Sequence, residues 1–470
     1  MAGSSIPRLE LFQLTEEQKV KHSPPSVPDT IVRSQFHPGI DPCFWNTTNS
    51  CELKLKSGKG DGSVMDAFGP EAKTTEYTFV CNNSDYTHLV YVDGCFVLPA
   101  FQVRPEYKDK VLICWSRNPA TAAIVSAEMR VGSTRIPGMG FDKAWIDTHR
   151  QWRRDPSIHI QKHNEIAGNV PDLVDWNHSL PKTFLCAPHP WSFSREQSHA
   201  FPIHYWKDSD NVTLTYRVYS NIGSILRMAV RPDPLGPLYV LPSPDFKYLT
   251  TPDVETPQLI PIGRYSYATP DELGFLHPEA RKVFRMLSVV AFHSRTLTAG
   301  ATEDIHITTS LPCRAIFLCA ENTKASAKNA HSTYTVSQDD MDSIVSPISH
   351  IAQYYGIIKK FSLPASYFGA REAKHFTCAP FSPGFFAIAN CLEPDLPREE
   401  SGIIYKSDLV AKITCKLSGG EEEIKSGSEY IIHVFALVDA YYTVTRGPGG
   451  DYLFEIGEIR DPVVPAKRSP

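Results

Sequence analysis

Alternation is the dominant pattern of the chain. In NVTLTYRVY, residues 211 to 219, Val212, Leu214, Tyr216 and Val218 alternate with Asn211, Thr213, Thr215 and Arg217. Successive strand side chains point to opposite faces, so this run predicts a half-buried antiparallel strand. In VLICWSRNPATAAIVSAEMRVGSTRI, residues 111 to 136, Ala127, Met129 and Val131 oppose Glu128 and Arg130, and Gly132-Ser133 supplies a hairpin turn. Shorter strand-like runs are Thr78 to Val80, His88 to Val92 and Cys95 to Leu98. The second half repeats this vocabulary at Asp304 to Thr308, Ala315 to Ala320 and Leu409 to Leu417. Its last run, YIIHVFALVDAYYTV from Tyr430 to Val444, is apolar on both faces, as expected of an interior strand with something packed outside it.

Helical signals are few. Thr269-Pro270-Asp271-Glu272 fits a capping box with proline at the first helical position, and Gly274 and Pro278 keep that connector short. Met341, Ile344, Val345 and Ile348 fall at helical spacing and predict one short helix.

Proline sets the divisions. Pro24, Pro25, Pro28, Pro38 and Pro42 mark residues 1–50 as an extended N-terminal arm. Pro232, Pro234, Pro237, Pro242, Pro244, Pro252, Pro257 and Pro261 mark a proline-rich linker over 232–265. The β units are then 51–231 and 266–470, the second including a C-terminal tail. With 38 prolines against 27 glycines in 470 residues, helices and central strands must be short. An all-β chain with two sandwiches follows.

Composition narrows the function classes. The chain is 42% hydrophobic and 21% charged, an ordinary globular balance. Its net charge is -5 and its densest basic cluster, Arg150 with Arg153 and Arg154, is followed at once by Asp155, so direct nucleic-acid binding is not expected. The N-terminal residues lack a signal-peptide core and no stretch has the apolar length of a membrane span, so a soluble, cytosolically made chain is expected. The 11 cysteines contain no CxxC and read as free, mostly buried thiols.

The chain carries no catalytic constellation that sequence can assemble. His199 and His204 are separated by Pro202 and would face opposite ways on a strand, and His189 and His178 make no better metal set. The stretch Ser57 to Ser63, SGKGDGS, lacks the Gly-Lys-Ser/Thr ending of a phosphate loop and reads as a hairpin loop. No cofactor, no metal and no enzymatic activity are expected. The sequons at Asn46, Asn82, Asn177 and Asn211 are expected to stay unmodified without a secretory signal.

Several ordered segments carry a family likeness. Pro188 to Trp206, PHPWSFSREQSHAFPIHYW, followed by the strand at Val212, resembles the end of the first jelly roll in major capsid proteins of nucleocytoplasmic large DNA viruses. Phe193, Arg195-Glu196 and Phe201-Pro202 fill that pattern, with Phe201 where leucine is commoner. Trp115-Ser116-Arg117-Asn118-Pro119, then Glu128, Phe141-Asp142 to Trp145 and Ile166-Ala167-Gly168-Asn169, are similar to the family's tryptophan-rich hairpin and short helix, most of all in its iridovirus and asfarvirus branch. Leu311 to Thr323, LPCRAIFLCAENT, resembles a strand ending in Asn-Thr, with Tyr355-Gly356 and Phe381 to Asn390 following in order.

The resemblance implies a double jelly roll: two antiparallel eight-stranded β-sandwiches side by side, with short connecting helices and the extended arm. It implies a structural protein whose homotrimers are pseudo-hexagonal capsomers of an icosahedral shell, located in the virion and in host cytoplasm during assembly. The implied partners are the chain itself, minor capsid proteins and, indirectly, an internal membrane. Loops around residues 137 to 180 and 325 to 400 would decorate the outer end of each unit. The alternatives are a jelly-roll carbohydrate-binding module or a minor capsid component.

Overall fold

In the computed structural model the described residues are 49–58, 74–83, 85–152, 160–195, 199–206, 211–220, 222–233, 236–250, 258–268, 282–337, 345–376, 378–395, 402–403, 411–418, 424–425, 427–446 and 452–457. The N-terminal arm up to residue 48, most of the Ser57–Ser63 stretch and the capping box at Thr269 lie outside them.

The first unit has two sheets. One runs β1 (Asn49–Glu52), β14 (Gln258–Ser266), β4 (His88–Leu98), β10 (Thr183–Pro188). The other runs β2 (Lys54–Ser57), β3 (Thr74–Val80), β11 (Val212–Tyr219), β7 (Ile124–Val131), β8 (Thr134–Asp142). Setting aside the added strand β2, the order is first, eighth, third, sixth in one sheet and second, seventh, fourth, fifth in the other. That order is the wiring of a jelly roll. The excursions between its strands hold two small ladders, one of β6 (Val111–Trp115) with β12 (Leu226–Val230) and β13 (Tyr239–Val240), the other of β5 (Phe101–Gln102) with β9 (Ser179–Leu180).

The second unit repeats the wiring. Its sheets run β15 (Lys282–Thr298), β22 (Glu429–Arg446), β17 (Cys313–Asn322), β20 (Phe385–Ala389) and β16 (Thr302–Ile307), β21 (Ala411–Leu417), β18 (Ile348–Tyr355), β19 (Ile358–Pro364). A further strand, β23 (Tyr452–Gly457), pairs with the end of β22. The described helices are short: α1 (Pro119–Ala122), α2 (Lys143–Trp152), α3 (Ile160–Ala167), α4 (Pro171–Val174), α5 (Thr323–Ser326) and α6 (Ala365–Ala370).

The alternating runs form the strands expected of them. Val212, Leu214, Tyr216 and Val218 are buried, and Arg217 is exposed. Gly132, at φ 61°, sits in the β7–β8 turn, a backbone region that glycine enters without steric cost. The runs at His88 and Cys95 are one strand, β4. Three readings are corrected. Central strands are not all short: β22 runs for 18 residues between β15 and β17, because its stretch of sequence contains no proline. Ile348 opens strand β18 and not a helix turn, while Met341 and Ile344 lie outside the described residues. Within the stretch read as linker, β14 is a nine-residue strand lying between β1 and β4, with Pro261 opposite Gly94. Proline withholds a donor but not an acceptor, and the Pro261 carbonyl still accepts from the Leu53 amide at 2.9 Å.

Candidate functional site: the buried junction between the two rolls

The 137 to 180 excursion does not simply decorate the outside. Its helix α2 starts where the Asp142 carboxylate accepts from the Trp145 amide at 2.7 Å, satisfying a helix-end donor. Seven of its ten residues are buried. Trp145 packs on Phe317 of β17 and Phe435 of β22, with ring centroids 5.5 and 5.3 Å away. Trp152 packs at a tilt against Phe376, with ring centroids 4.8 Å apart. Gln151 fixes the next loop by accepting from the amides of Phe381 at 3.0 Å and Ser382 at 3.2 Å. This helix covers β22 around Phe435, and Pro137 of β8 meets the same strand at Tyr442, so the run that the sequence read as an interior strand has the first roll packed on it.

At the foot of α2 lies a buried ionic cluster. Lys143 donates to Glu321 of β17 at 2.9 Å, and His433 of β22 reaches the other Glu321 oxygen at 3.4 Å. Burial opposes the Glu321 charge, but Lys143 and His433 override it and hold the carboxyl well below the usual range. Burial likewise works against the Lys143 ammonium, and Glu321 outweighs it, keeping the pKa above the ordinary lysine value. The Lys143 ammonium also faces His331 Nδ1 at 3.3 Å, while His331 Nε2 lies 2.7 Å from the Ser224 carbonyl. A carbonyl only accepts, so Nε2 carries the proton and Nδ1 accepts from Lys143. The imidazole is neutral, its pKa pushed down to about 3 by burial and then by Lys143. Nearby, Tyr334 donates to Asp147 at 2.9 Å, and Asn329, at φ 58°, donates to the carbonyls of Gly223 at 2.7 Å and Leu226 at 2.9 Å.

A second zone joins the rolls at the chain's end. Trp206 donates from its indole to the Tyr452 carbonyl at 2.9 Å, and Phe454 lies 5.0 Å from Phe201. Tyr442 of β22 donates to the Pro137 carbonyl at 2.9 Å and meets Ser288 of β15 at 2.7 Å. Gly138, at φ 74°, brings β8 close: a Cβ there would stand 2.9 Å from the Ser288 Cβ.

Two of the four histidines weighed as ligands have their rings on ordinary partners. His189 contacts the Tyr216 hydroxyl at 2.9 Å and has its pKa lowered to about 3 by burial. His204 contacts the Thr87 carbonyl at 3.1 Å, and its ring stands 5.4 Å from that of His88. His199 is buried, and the His178 amide donates to Asn177 at 2.7 Å. Among the described residues no group of three or more histidine, cysteine or carboxylate side chains gathers as a metal site. The sequon residue Asn82 uses its amide on the Trp206 carbonyl, and Asn46 lies outside the described residues.

Sequence reasoning did not single out the ionic cluster. Its signal was present as charges inside apolar runs: Arg314 and Glu321 in LPCRAIFLCAENT, His433 and Asp439 in YIIHVFALVDAYY. Arg314 and Asp439 prove to be a fully buried pair at 3.2 Å within the second roll.

No family model and no curated protein matches the sequence. Solved structures do match. The Faustovirus major capsid protein superposes with a TM-score of 0.62 at 7% identity, over 92% of this chain and 96% of that one. The PBCV-1 virus capsid gives 0.57 at 12% identity, over 87% and 96%. The Sputnik virophage gives 0.51 at 9% identity, over 92% and 93%. Likeness at such identities speaks to architecture, and it agrees with the strand order seen twice above: this chain has the all-β double jelly-roll fold of these virus capsid structures.

Proposed function

We propose that the chain is a major capsid protein whose homotrimers form pseudo-hexagonal capsomers tiling the icosahedral shell of a large double-stranded DNA virus, and that its role is structural, not enzymatic. The observation that carries this reading is the same eight-strand order in two adjacent rolls fixed to each other through a buried junction. Two similar lobes per subunit, taken three times, give six lobes around a three-fold axis, and such a tile covers a flat facet. A hexagonal outline requires the lobes to hold one angle. The aromatic wedge of α2 and the Lys143–Glu321–His433 cluster supply that constraint.

On this reading the first roll runs from β1 to β14 and the second from β15 to β22, with the passage between them after Ser266. Partners are further copies of the chain, within the trimer and between tiles, together with minor capsid proteins and, indirectly, an internal membrane. Direct nucleic-acid contact is not part of it. The location is the virion, with assembly in host cytoplasm. Among the described residues no further strand pairs with β10 or β19; helices α1 and α3 pack beside β10 and α6 beside β19, and the N-terminal arm of a neighbouring subunit is the proposed cover for what these leave unpaired. Sedimentation equilibrium of the purified chain tests the trimer: a particle of three times the 52.5 kDa chain mass is expected. A folded 52.5 kDa monomer that binds glycans would instead favour the carbohydrate-binding alternative.

A further inference from the structure

Cys95 and Cys186 face each other across the first roll. They are direct partners in the antiparallel register of β4 and β10, and their sulfurs stand 3.0 Å apart. Opposed residues in such a ladder have Cα atoms about 4.5 or 5.5 Å apart depending on their place in the hydrogen-bond pattern. Both values lie within the roughly 4.4 to 6.8 Å that a disulfide spans. The two sulfurs already sit closer than non-bonded sulfurs prefer, so a bond needs only a small rotation of side chains and no backbone movement.

Access is one-sided in a useful way. Cys95 is 1% exposed, whereas Cys186 is only partly buried and lies on β10, the last strand of its sheet. An outside reagent therefore meets Cys186 first, with Cys95 behind it as the resolving thiol. The Cys186 thiol is itself raised, first by its hydrogen bond with Cys95 and then by burial, so the exchange draws on a small thiolate fraction and runs faster as pH rises; Cys81, Cys319 and Cys415 are buried cysteines raised chiefly by burial.

We propose that Cys95 and Cys186 are a cross-strand disulfide site, oxidised by thiol–disulfide exchange with a low-molecular-weight disulfide. The Cys186 thiolate attacks one sulfur of the external disulfide, which breaks and releases one thiol. The Cys95 sulfur then attacks Cys186 in the mixed disulfide and releases the second thiol. Two protein thiols and one external disulfide become one protein disulfide and two external thiols, and the protons of the protein thiols end on the released ones. The bond staples edge strand β10 to β4. Since β10 leads into the segment that carries Phe201 and Trp206 to the junction, the staple also steadies that route. It closes a loop across 91 positions of sequence, a constraint felt mainly by the unfolded chain.

The test uses the reduced full-length protein incubated with oxidised glutathione, alkylated, digested without reductant and read by mass spectrometry alongside its thermal midpoint. Expected are one linked peptide pair joining Cys95 to Cys186 and an upward shift of the midpoint by several degrees that reductant reverses. Cys186→Ser should abolish both effects, and Cys391→Ser should leave both in place. Recovery of Cys95 and Cys186 as separate alkylated or glutathionylated peptides, from protein that circular dichroism shows to be folded, would overturn the proposal.

Discussion

Lys143 is the residue on which the junction turns. Its ammonium lies between Glu321 and His331 and is largely shielded from solvent, so removing it leaves the buried Glu321 carboxylate with His433 and the Ser326 hydroxyl, at 2.7 Å, but without its lysine counter-charge. Lys143→Met is expected to cost about 3 to 5 kcal/mol in chemical denaturation, and adding Glu321→Leu should recover part of that loss because the stranded charge goes too. Histidine protonation gives a pH signature. His189 and His331 bind a proton near pH 6.5 when unfolded but only near pH 3 when folded, both through burial first. The unfolded state therefore holds more protons across that window, and stability falls as pH drops from about 6.5 toward 3. The slope approaches ~1.4 kcal/mol per pH unit for each histidine. Unfolding curves at pH 7 and pH 5 check this, with His189→Gln losing less stability between the two than the parent chain.

At the scale of elements, α2 and β23 hold the two rolls together. Trp145→Ala is expected to lower stability by about 3 to 5 kcal/mol, the range for truncating a buried large aromatic, and hydrogen exchange should rise in α2 and β17 together. Phe454→Ala should loosen the Trp206 segment and raise its exchange while leaving β7 and β8 protected. The strands were legible in sequence wherever one face is wetter than the other: Leu214 to Val218 and Ala127 to Arg130 alternate because burial alternates. β14 was not, because Pro257 and Pro261 imitate a linker while Pro261 still serves the ladder through its carbonyl. The helical spacing that ends at Ile348 was misleading because two apolar residues three or four apart fit a strand entrance as well as a helix face. The junction was illegible for a different reason. Lys143 and Glu321 are 178 positions apart, and no local pattern announces a pair that only the docking of two rolls brings together.

The molecule as a whole is one wiring scheme used twice and locked into a pair, and its proposed task requires nothing more chemical than that. Each roll alone would be an ordinary sandwich. On the proposed reading, three copies of a rigidly joined pair would place six lobes around a three-fold axis. Stain electron microscopy of the purified soluble particle, with class averages taken without imposed symmetry, tests this most directly. Hexagonal outlines with three-fold symmetry and six lobes are the expected result. Averages of well-folded protein showing only isolated two-lobed particles at every concentration examined would contradict it.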